Sequence, residues 1–252
     1  MSMVRAKVLV FGATGFTGNL VCETLRARGI AFAVAGRNRT KLEQLSQALG
    51  GVESAVVDLK DAETIVRALA GRKVVCACAG PFIEVGEPIL ASCARMGIHY
   101  ADTTGEQSFV ALAVPRYRAT AEASGACIAP AMAYEIAPAD WAAHLAAERL
   151  RQIVRDAHGE RADPEVLDIV YMQGAGANLA ESTTRGTKLT ILSMLAARDS
   201  KQFINGTLRN ESAGAVVRSF RARDGHEVTA ISIPSPEPIV VPSHTGARTV
   251  RT

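Results

Sequence analysis

The apolar run Val8-Leu9-Val10-Phe11 passes directly into Gly12-Ala13-Thr14-Gly15-Phe16-Thr17-Gly18. Leu20, Val21 and Leu25 then come at helical spacing, up to a stop at Gly29. A buried strand, a turn with glycine at every third position and a helix can be combined in few ways. Gly12 can turn where a side chain would clash. Gly15 leaves the backbone open to a diphosphate, and Gly18 lets the helix lie close on the sheet. The N–H groups at the helix start have no intrahelical partner and carry partial positive charge toward that diphosphate. The stretch therefore reads as a dinucleotide grip of the G-x-x-G-x-x-G type, with Thr14, Phe16 and Thr17 in the same contact.

Strand and helix signals then alternate along the chain. Apolar runs at Lys7–Phe11, Phe32–Ala35, Ala55–Val57, Val74–Ala79, Ile98–Tyr100 and Cys127–Ala129 predict six strands. Helical patterns fill the gaps: one after Gly15, then Thr40–Leu49, Asp61–Leu69, Gly86–Met96 and Pro115–Ala123. Thr40 and Asp61 suit N-caps, and Thr40 with Glu43 forms a capping box. Strands that are apolar throughout and alternate with helices predict an α/β fold, a Rossmann-type doubly wound parallel sheet covered on both faces.

After Pro138 the pattern changes. Trp141–Ile153 predicts a long amphipathic helix, Arg155–Pro164 a polar linker and Val166–Tyr171 a strand. A glycine-bearing loop and a helix over Gly186–Ala197 come next, the stripe Leu189, Leu192, Leu195 serving as core or subunit interface. Val216–Ala222, Val228–Ile233 and Pro238–Val241 read as antiparallel strands. The expected division is a dinucleotide-binding domain over 1–135 and a smaller α+β domain for substrate and dimerisation over 136–252. A chain of 252 residues is long enough for either one large or two modest cores.

Bulk properties exclude several classes. No apolar run reaches the roughly 18–20 residues of a membrane span. The first strand begins within a few residues of the start, leaving no room for a signal peptide. The net charge of +3 is scattered, so no nucleic-acid surface is expected. Five cysteines, an odd number set among predicted core elements, suggest thiols in a reducing cytoplasm. Cys93 and Cys127 lack a partner histidine and read as buried. Cys76 and Cys78 share a strand face but are too few for a zinc site. The histidines show no ligand spacing, and no metal is expected.

The end of the second strand selects the cofactor. An acid there would bind the adenine-ribose hydroxyls and repel a 2′-phosphate. This chain has Gly36-Arg37-Asn38-Arg39, followed by Lys41. Gly36 removes the acid and Arg37 can fork onto the phosphate, so the expected cofactor is NADP. Asp58, after the third strand, is placed to reach the adenine amino group.

Four segments together resemble the saccharopine dehydrogenase-like oxidoreductases, a group that includes the trans-acting enoyl reductases of mycobacteria. They are the glycine turn, Ala35-Gly36-Arg37-Asn38, Ala79-Gly80-Pro81-Phe82, and His99-Tyr100-Ala101-Asp102-Thr103-Thr104-Gly105-Glu106. The A-G-P-F segment and the G-x-H-Y-x-D-x-x-G-E run are the more specific. The resemblance is strong to about residue 140 and implies a Rossmann domain, an inserted α+β domain and NADP. Two features depart from the family. Its S-G-G-T turn appears as Thr184-Arg185-Gly186-Thr187, and its members run on with further helices, so the resemblance implies a truncated chain. Ala79, Gly80, Pro81 and Phe82 would then wall the nicotinamide end, Gly80 permitting close backbone approach.

Hydride transfer is largely the cofactor's own chemistry, the protein adding orientation and sometimes a proton. Candidates are His99, Tyr100, Asp102 and Glu106 after the fifth strand, and Tyr134, Glu135 and Asp140 after the sixth, where the domains should meet. Asp102 and Glu106 are expected to shape the pocket, and Tyr134 or Tyr100 to donate a proton. No Tyr-x-x-x-Lys pair is present, so short-chain-dehydrogenase chemistry lacks its usual acid. The sequence thus suggests an NADP-dependent oxidoreductase acting on a C=N, C=C or C=O bond of a small or acyl substrate, as a homodimer. The alternative is a regulator or scaffold that holds NADP(H) without turnover.

Overall fold

A computed structural model describes residues 5–172, 188, 192, 200–222 and 224–252. The chain divides into two compact units, residues 1–104 with 112–132, and residues 105–111 with 133–252.

The first unit is built on six strands: β1 (Val8–Phe11), β2 (Phe32–Gly36), β3 (Ser54–Val56), β4 (Val74–Ala77), β5 (His99–Asp102) and β6 (Ile128–Ala129). They lie in the order β3-β2-β1-β4-β5-β6, every pair parallel. The winding reverses between β1 and β4, and a crevice opens at such a reversal, beyond the carboxyl ends of the strands. Register brings those ends level, Phe11 standing opposite both Ala35 and Ala77. Helices α1 (Phe16–Ala27), α2 (Arg39–Ala48), α3 (Ala62–Leu69), α4 (Phe82–Val85) and α5 (Glu87–Met96) fill the crossovers. Val10, Cys22, Phe32, Val34 and Leu42 form one buried cluster between sheet and helices. The doubly wound parallel sheet is the one expected.

Three local expectations change. The N-cap of α2 is Asn38, whose side chain accepts from the Lys41 N–H, so Thr40 lies inside the first turn and its box with Glu43 does not form. Asp61 does cap α3. Helix α6 spans Gln107–Ser124 and carries Pro115 in its interior instead of starting there. Proline forfeits the bond to residue 111 and crowds that carbonyl. Burial of Phe109, Val110 and Ala113 holds the helix together across the gap. Cys127 is exposed, whereas Cys93 is buried as expected.

In the second unit α7 (Ile136–His158) is longer than the Trp141–Ile153 pattern. A four-stranded sheet comes after it, β7-β12-β8-β9, from β7 (Val166–Asp168), β8 (Lys201–Ile204), β9 (Thr207–Asn210) and β12 (Thr249–Arg251). Beside it β10 (Val217–Arg221) and β11 (Glu227–Ile231) pair antiparallel, as predicted. Pro238–Val241 is not a strand. The region forms two short helices, α8 (Glu237–Val240) and α9 (Pro242–Thr245). Prolines 238 and 242 sit in the first turns, where no ladder donor is needed. Gln107 ties this unit together, its Nε2 donating to the Lys201 and Ser235 carbonyls and its Oε1 accepting from the Lys201 N–H. The glycine-bearing loop, the Gly186–Ala197 helix, the Thr184–Thr187 turn and Leu189 and Leu195 lie outside the described residues; Leu192 is exposed. No helix among the described residues is long and apolar enough to cross a membrane.

Glu237 is fully buried and its carboxylate meets the Tyr171 hydroxyl. Burial raises its pKa, Glu135 adds to the rise, and the Ser235 and Tyr171 hydroxyls oppose it. The folded state therefore holds this proton more tightly than the unfolded chain does. The contribution to stability is complete below the unfolded carboxylate value of about 4.3 and is lost as pH rises through the folded one. Glu237→Gln is expected to flatten the fall in stability above that value, measured by urea unfolding across a pH series.

Candidate cofactor-binding site

Each glycine of the turn does a different job. Gly12 has φ 78°, and its N–H donates to the Ala35 carbonyl at 2.8 Å. A Cβ on Gly12 would lie 2.8 Å from the Ala79 Cβ and N. One on Gly18 would lie 2.3 Å from the Gly12 oxygen and 2.8 Å from the Ala13 Cα. Gly18 is buried in the first turn of α1, where only its missing side chain permits the helix to touch the preceding turn. Gly15 is the exposed one. Its Cβ position has a single neighbour, the Gly12 oxygen at 3.3 Å, and otherwise faces open space. Among the described residues no side chain caps α1, whose N-cap is Gly15. Its first-turn N–H groups are thus left for an outside anion. Thr14, Phe16 and Thr17 are exposed around the same opening. These features fit the diphosphate of a dinucleotide.

The turn brings three strand ends together. Gly12 bonds the end of β2 at Ala35 and abuts Ala79 beyond β4. The Gly36 carbonyl accepts from the Val57 N–H at 2.9 Å beyond β3. Gly36 is buried, the Leu42 methyls standing 3.7 and 3.9 Å from its Cβ position. Arg37 and Lys41 are exposed beside it, and among the described residues no ion pair engages Arg37. Asn38 spends its side-chain oxygen on the α2 cap. Asp58 is exposed and its Oδ1 accepts from the Lys60 N–H at 2.9 Å. Gly80 is exposed, Pro81 is the N-cap of α4, and Phe82 is buried with its ring 3.6 Å from the Gly80 Cβ position. The residues expected around a dinucleotide therefore converge on the sheet's carboxyl edge.

The residues expected to serve chemistry are differently disposed. In the first unit Tyr100 and Asp102 are both buried. Asp102 Oδ1 accepts from the N–H groups of Thr104 at 3.0 Å and Ala131 at 2.9 Å. Its own carbonyl accepts from the Met132 N–H at 2.8 Å. Asp102 thereby joins the end of β5 to the chain leaving β6, where Ala131 is held at φ 59°. Burial, and then Asp102, push the Tyr100 phenol well above its ordinary pKa. His99 accepts from the Cys127 N–H at 3.0 Å. In the second unit Glu106 is buried and Tyr134 is 89% exposed.

The backbone-bracing work of Asp102 was missed from sequence, although the Asp-x-Thr spacing allows an Asx-turn to Thr104. Asp102→Ala would leave two buried N–H groups without an acceptor. We expect it to lower stability by about 1–3 kcal/mol, read from urea unfolding, and Asp102→Asn to cost less because an oxygen remains.

The family model described as the saccharopine dehydrogenase NADP binding domain matches residues 8–148. A trans-acting enoyl reductase of Mycobacterium leprae is 32% identical over 167 residues, covering 64% of this chain and 39% of that protein. A putative trans-acting enoyl reductase of Mycobacterium tuberculosis is 34% identical over 164 residues, covering 62% of this chain and 38% of that one. The chain thus spans about two fifths of the length of these relatives. Apo saccharopine dehydrogenase (L-Glu forming) from Saccharomyces cerevisiae has a similar fold. Its TM-score is 0.60 at 17% identity, over 97% of this chain and 53% of that one. The glycine turn, the acid-free end of β2 and the A-G-P-F wall all fall inside the matched span. The chain therefore belongs to the saccharopine dehydrogenase-like family and carries its NADP-binding domain.

Proposed function

We propose that the chain is the cofactor-binding part of an NADP-dependent oxidoreductase acting on a C=N, C=C or C=O bond of a small or acyl substrate. The observation that carries this reading is the glycine turn, with two Cβ positions blocked by backbone and a third open, beside the exposed Arg37. In this reading Gly12, Gly15 and Gly18 bring main-chain N–H groups to the diphosphate, with Thr14, Phe16 and Thr17 around it. Arg37 and Lys41 meet the 2′-phosphate, Gly36 leaves room for it, and Asn38 and Asp58 line the adenosine end. Ala79, Gly80, Pro81 and Phe82 form the nicotinamide wall. The chemistry the cofactor supplies when bound is hydride transfer.

Among the residues assigned to the chemistry, Tyr134 has an accessible hydroxyl and is the proton donor of this proposal. Tyr100 and Asp102, buried in the first unit, and Glu106, buried in the second, are assigned pocket-shaping roles, each within its own unit. We assign the substrate-defining and dimer-forming roles to the second domain, 136–252. A cytoplasmic location is part of the same reading and is supported by five cysteines that are all unpaired.

The test is NADPH consumption, followed by absorbance, with a panel of imines and enoyl thioesters, and a full-length relative assayed alongside. Oxidation dependent on one substrate class supports the reading. One observation favours the second reading, a protein that holds NADP(H) without turnover: Asp102 is committed to backbone N–H groups and Tyr100 is sealed in the core. Tight NADPH binding with no oxidation, by a chain whose relative does turn over the same panel, would select it.

A further inference from the structure

Two of the five cysteines stand in contact. Cys76 and Cys78, two residues apart at the end of β4, project from one face of the sheet with their Sγ atoms 3.9 Å apart. Both are partly accessible. Cys22 and Cys93 differ: they are fully buried, and burial pushes their thiols up to about 11 and about 12. Cys127 is exposed. Within the pair, the hydrogen bond from Cys78 holds Cys76 below the ordinary thiol value, against burial and Asp102. The same bond, with burial adding to it, holds the Cys78 proton in place. A thiolate with a second thiol beside it is the arrangement that reacts with peroxide and then resolves to a disulfide.

The backbone decides what such a bridge would do. Two steps along a strand separate Cα atoms by about 6.4–6.8 Å. That is the long end of the range a disulfide spans, about 4.4–6.8 Å. Closure must therefore draw the two residues together. Cys78 is the first residue beyond β4, and its N–H donates to the Phe11 carbonyl at 2.8 Å. The next residue, Ala79, has its N and Cβ only 2.8 Å from the Cβ position of Gly12. A shift at Cys78 is thus passed by backbone contact to the glycine turn.

We propose that Cys76 and Cys78 are a redox-active dithiol, which hydrogen peroxide closes to an intrachain disulfide that weakens the cofactor site. The Cys76 thiolate attacks one peroxide oxygen. An S–O bond forms, the O–O bond breaks, and the departing hydroxide takes up the proton that Cys76 gave up, leaving as water. The Cys78 sulfur then attacks the Cys76 sulfenic acid. The S–S bond forms, the S–O bond breaks, and hydroxide leaves with the Cys78 proton as a second water. Two thiols lose two electrons and one peroxide gains them. The bridge itself does not depend on the oxidoreductase reading; its effect on NADPH rests on the cofactor site.

The purified chain, treated with hydrogen peroxide, freed of the excess and alkylated, tests this by peptide mapping and NADPH titration. The map is expected to show Cys76 joined to Cys78, with the loss of two hydrogens, and dithiothreitol to reverse it. NADPH affinity should be roughly tenfold lower in the oxidised chain and recover on reduction. Cys78→Ser should stop at a Cys76 sulfenic acid that dimedone traps. Cys76→Ser should keep its NADPH affinity through peroxide treatment, and Cys127→Ser should still form the bridge. Variants are checked for folding by circular dichroism, and the wild-type map needs no variant. No bridge between these two residues, or peroxide reacting first at another cysteine, would overturn the dithiol. A bridge that leaves NADPH affinity unchanged would overturn its link to the cofactor site.

Discussion

Gly18→Ala is expected to lower stability by about 3 kcal/mol, whereas Gly15→Ala, three residues away, should change it by no more than about 1 kcal/mol. The contrast comes from what each new methyl meets. At Gly18 it would stand 2.3 Å from the Gly12 carbonyl oxygen and 2.8 Å from the Ala13 Cα, all backbone. Nothing there can rotate away, so α1 must lift off the sheet and disturb the packing of Cys22 against Val10 and Val34. At Gly15 the backbone is extended (φ −82°, ψ 169°), which alanine adopts freely, and the one close atom lies at 3.3 Å. The same methyl, however, fills the space a diphosphate would need. NADPH affinity should therefore fall roughly tenfold or more in Gly15→Ala while its urea midpoint stays near wild type. Wild-type NADPH affinity in that variant would mean that the diphosphate does not approach residue 15.

Arg37→Ala is expected to weaken NADPH by roughly ten- to a hundred-fold, the worth of a charge-assisted hydrogen bond, and to leave NADH nearly unchanged. Arg37 is exposed just past β2, and no acid stands at Gly36 to repel a phosphate. The neighbouring Arg39 differs, sitting 3.9 Å from Glu43 on the helix surface. Fluorescence titration of both cofactors with both proteins separates the outcomes. Equal weakening of NADPH and NADH would move Arg37 from the phosphate to general structural support.

The first unit was legible because two strong signals coincide along it. Strands buried on both faces are apolar without interruption, and the glycine turn fixes where the winding begins. Boundaries slipped where a proline was read as a start: Pro115 sits eight residues inside α6, since packing of Phe109 and Val110 outweighs a lost hydrogen bond. The second unit was harder to read. Its strands are short, and β9 and β10 are almost wholly exposed, so alternation against a core is weak. The β8–β9 hairpin nevertheless carried a usable sign, Asn205-Gly206, with φ 49° and 82° at the turn. Pro238–Val241 was misread because β-branched residues suggested a strand while the flanking prolines favoured helical first turns. At the candidate site the segments that reach the sheet's carboxyl edge could be read from spacing. The bracing role of Asp102 could not, because it depends on Ala131, a partner 29 residues away.

The most direct measurement is titration of the purified chain with NADPH, NADH and ADP-ribose, followed by cofactor fluorescence and calorimetry. The account predicts one NADPH per chain, bound more tightly than NADH, with the preference lost in Arg37→Ala and the affinity lowered roughly tenfold or more in Gly15→Ala. A folded chain that takes up no NADPH, or one that takes both nicotinamide cofactors alike, would contradict it.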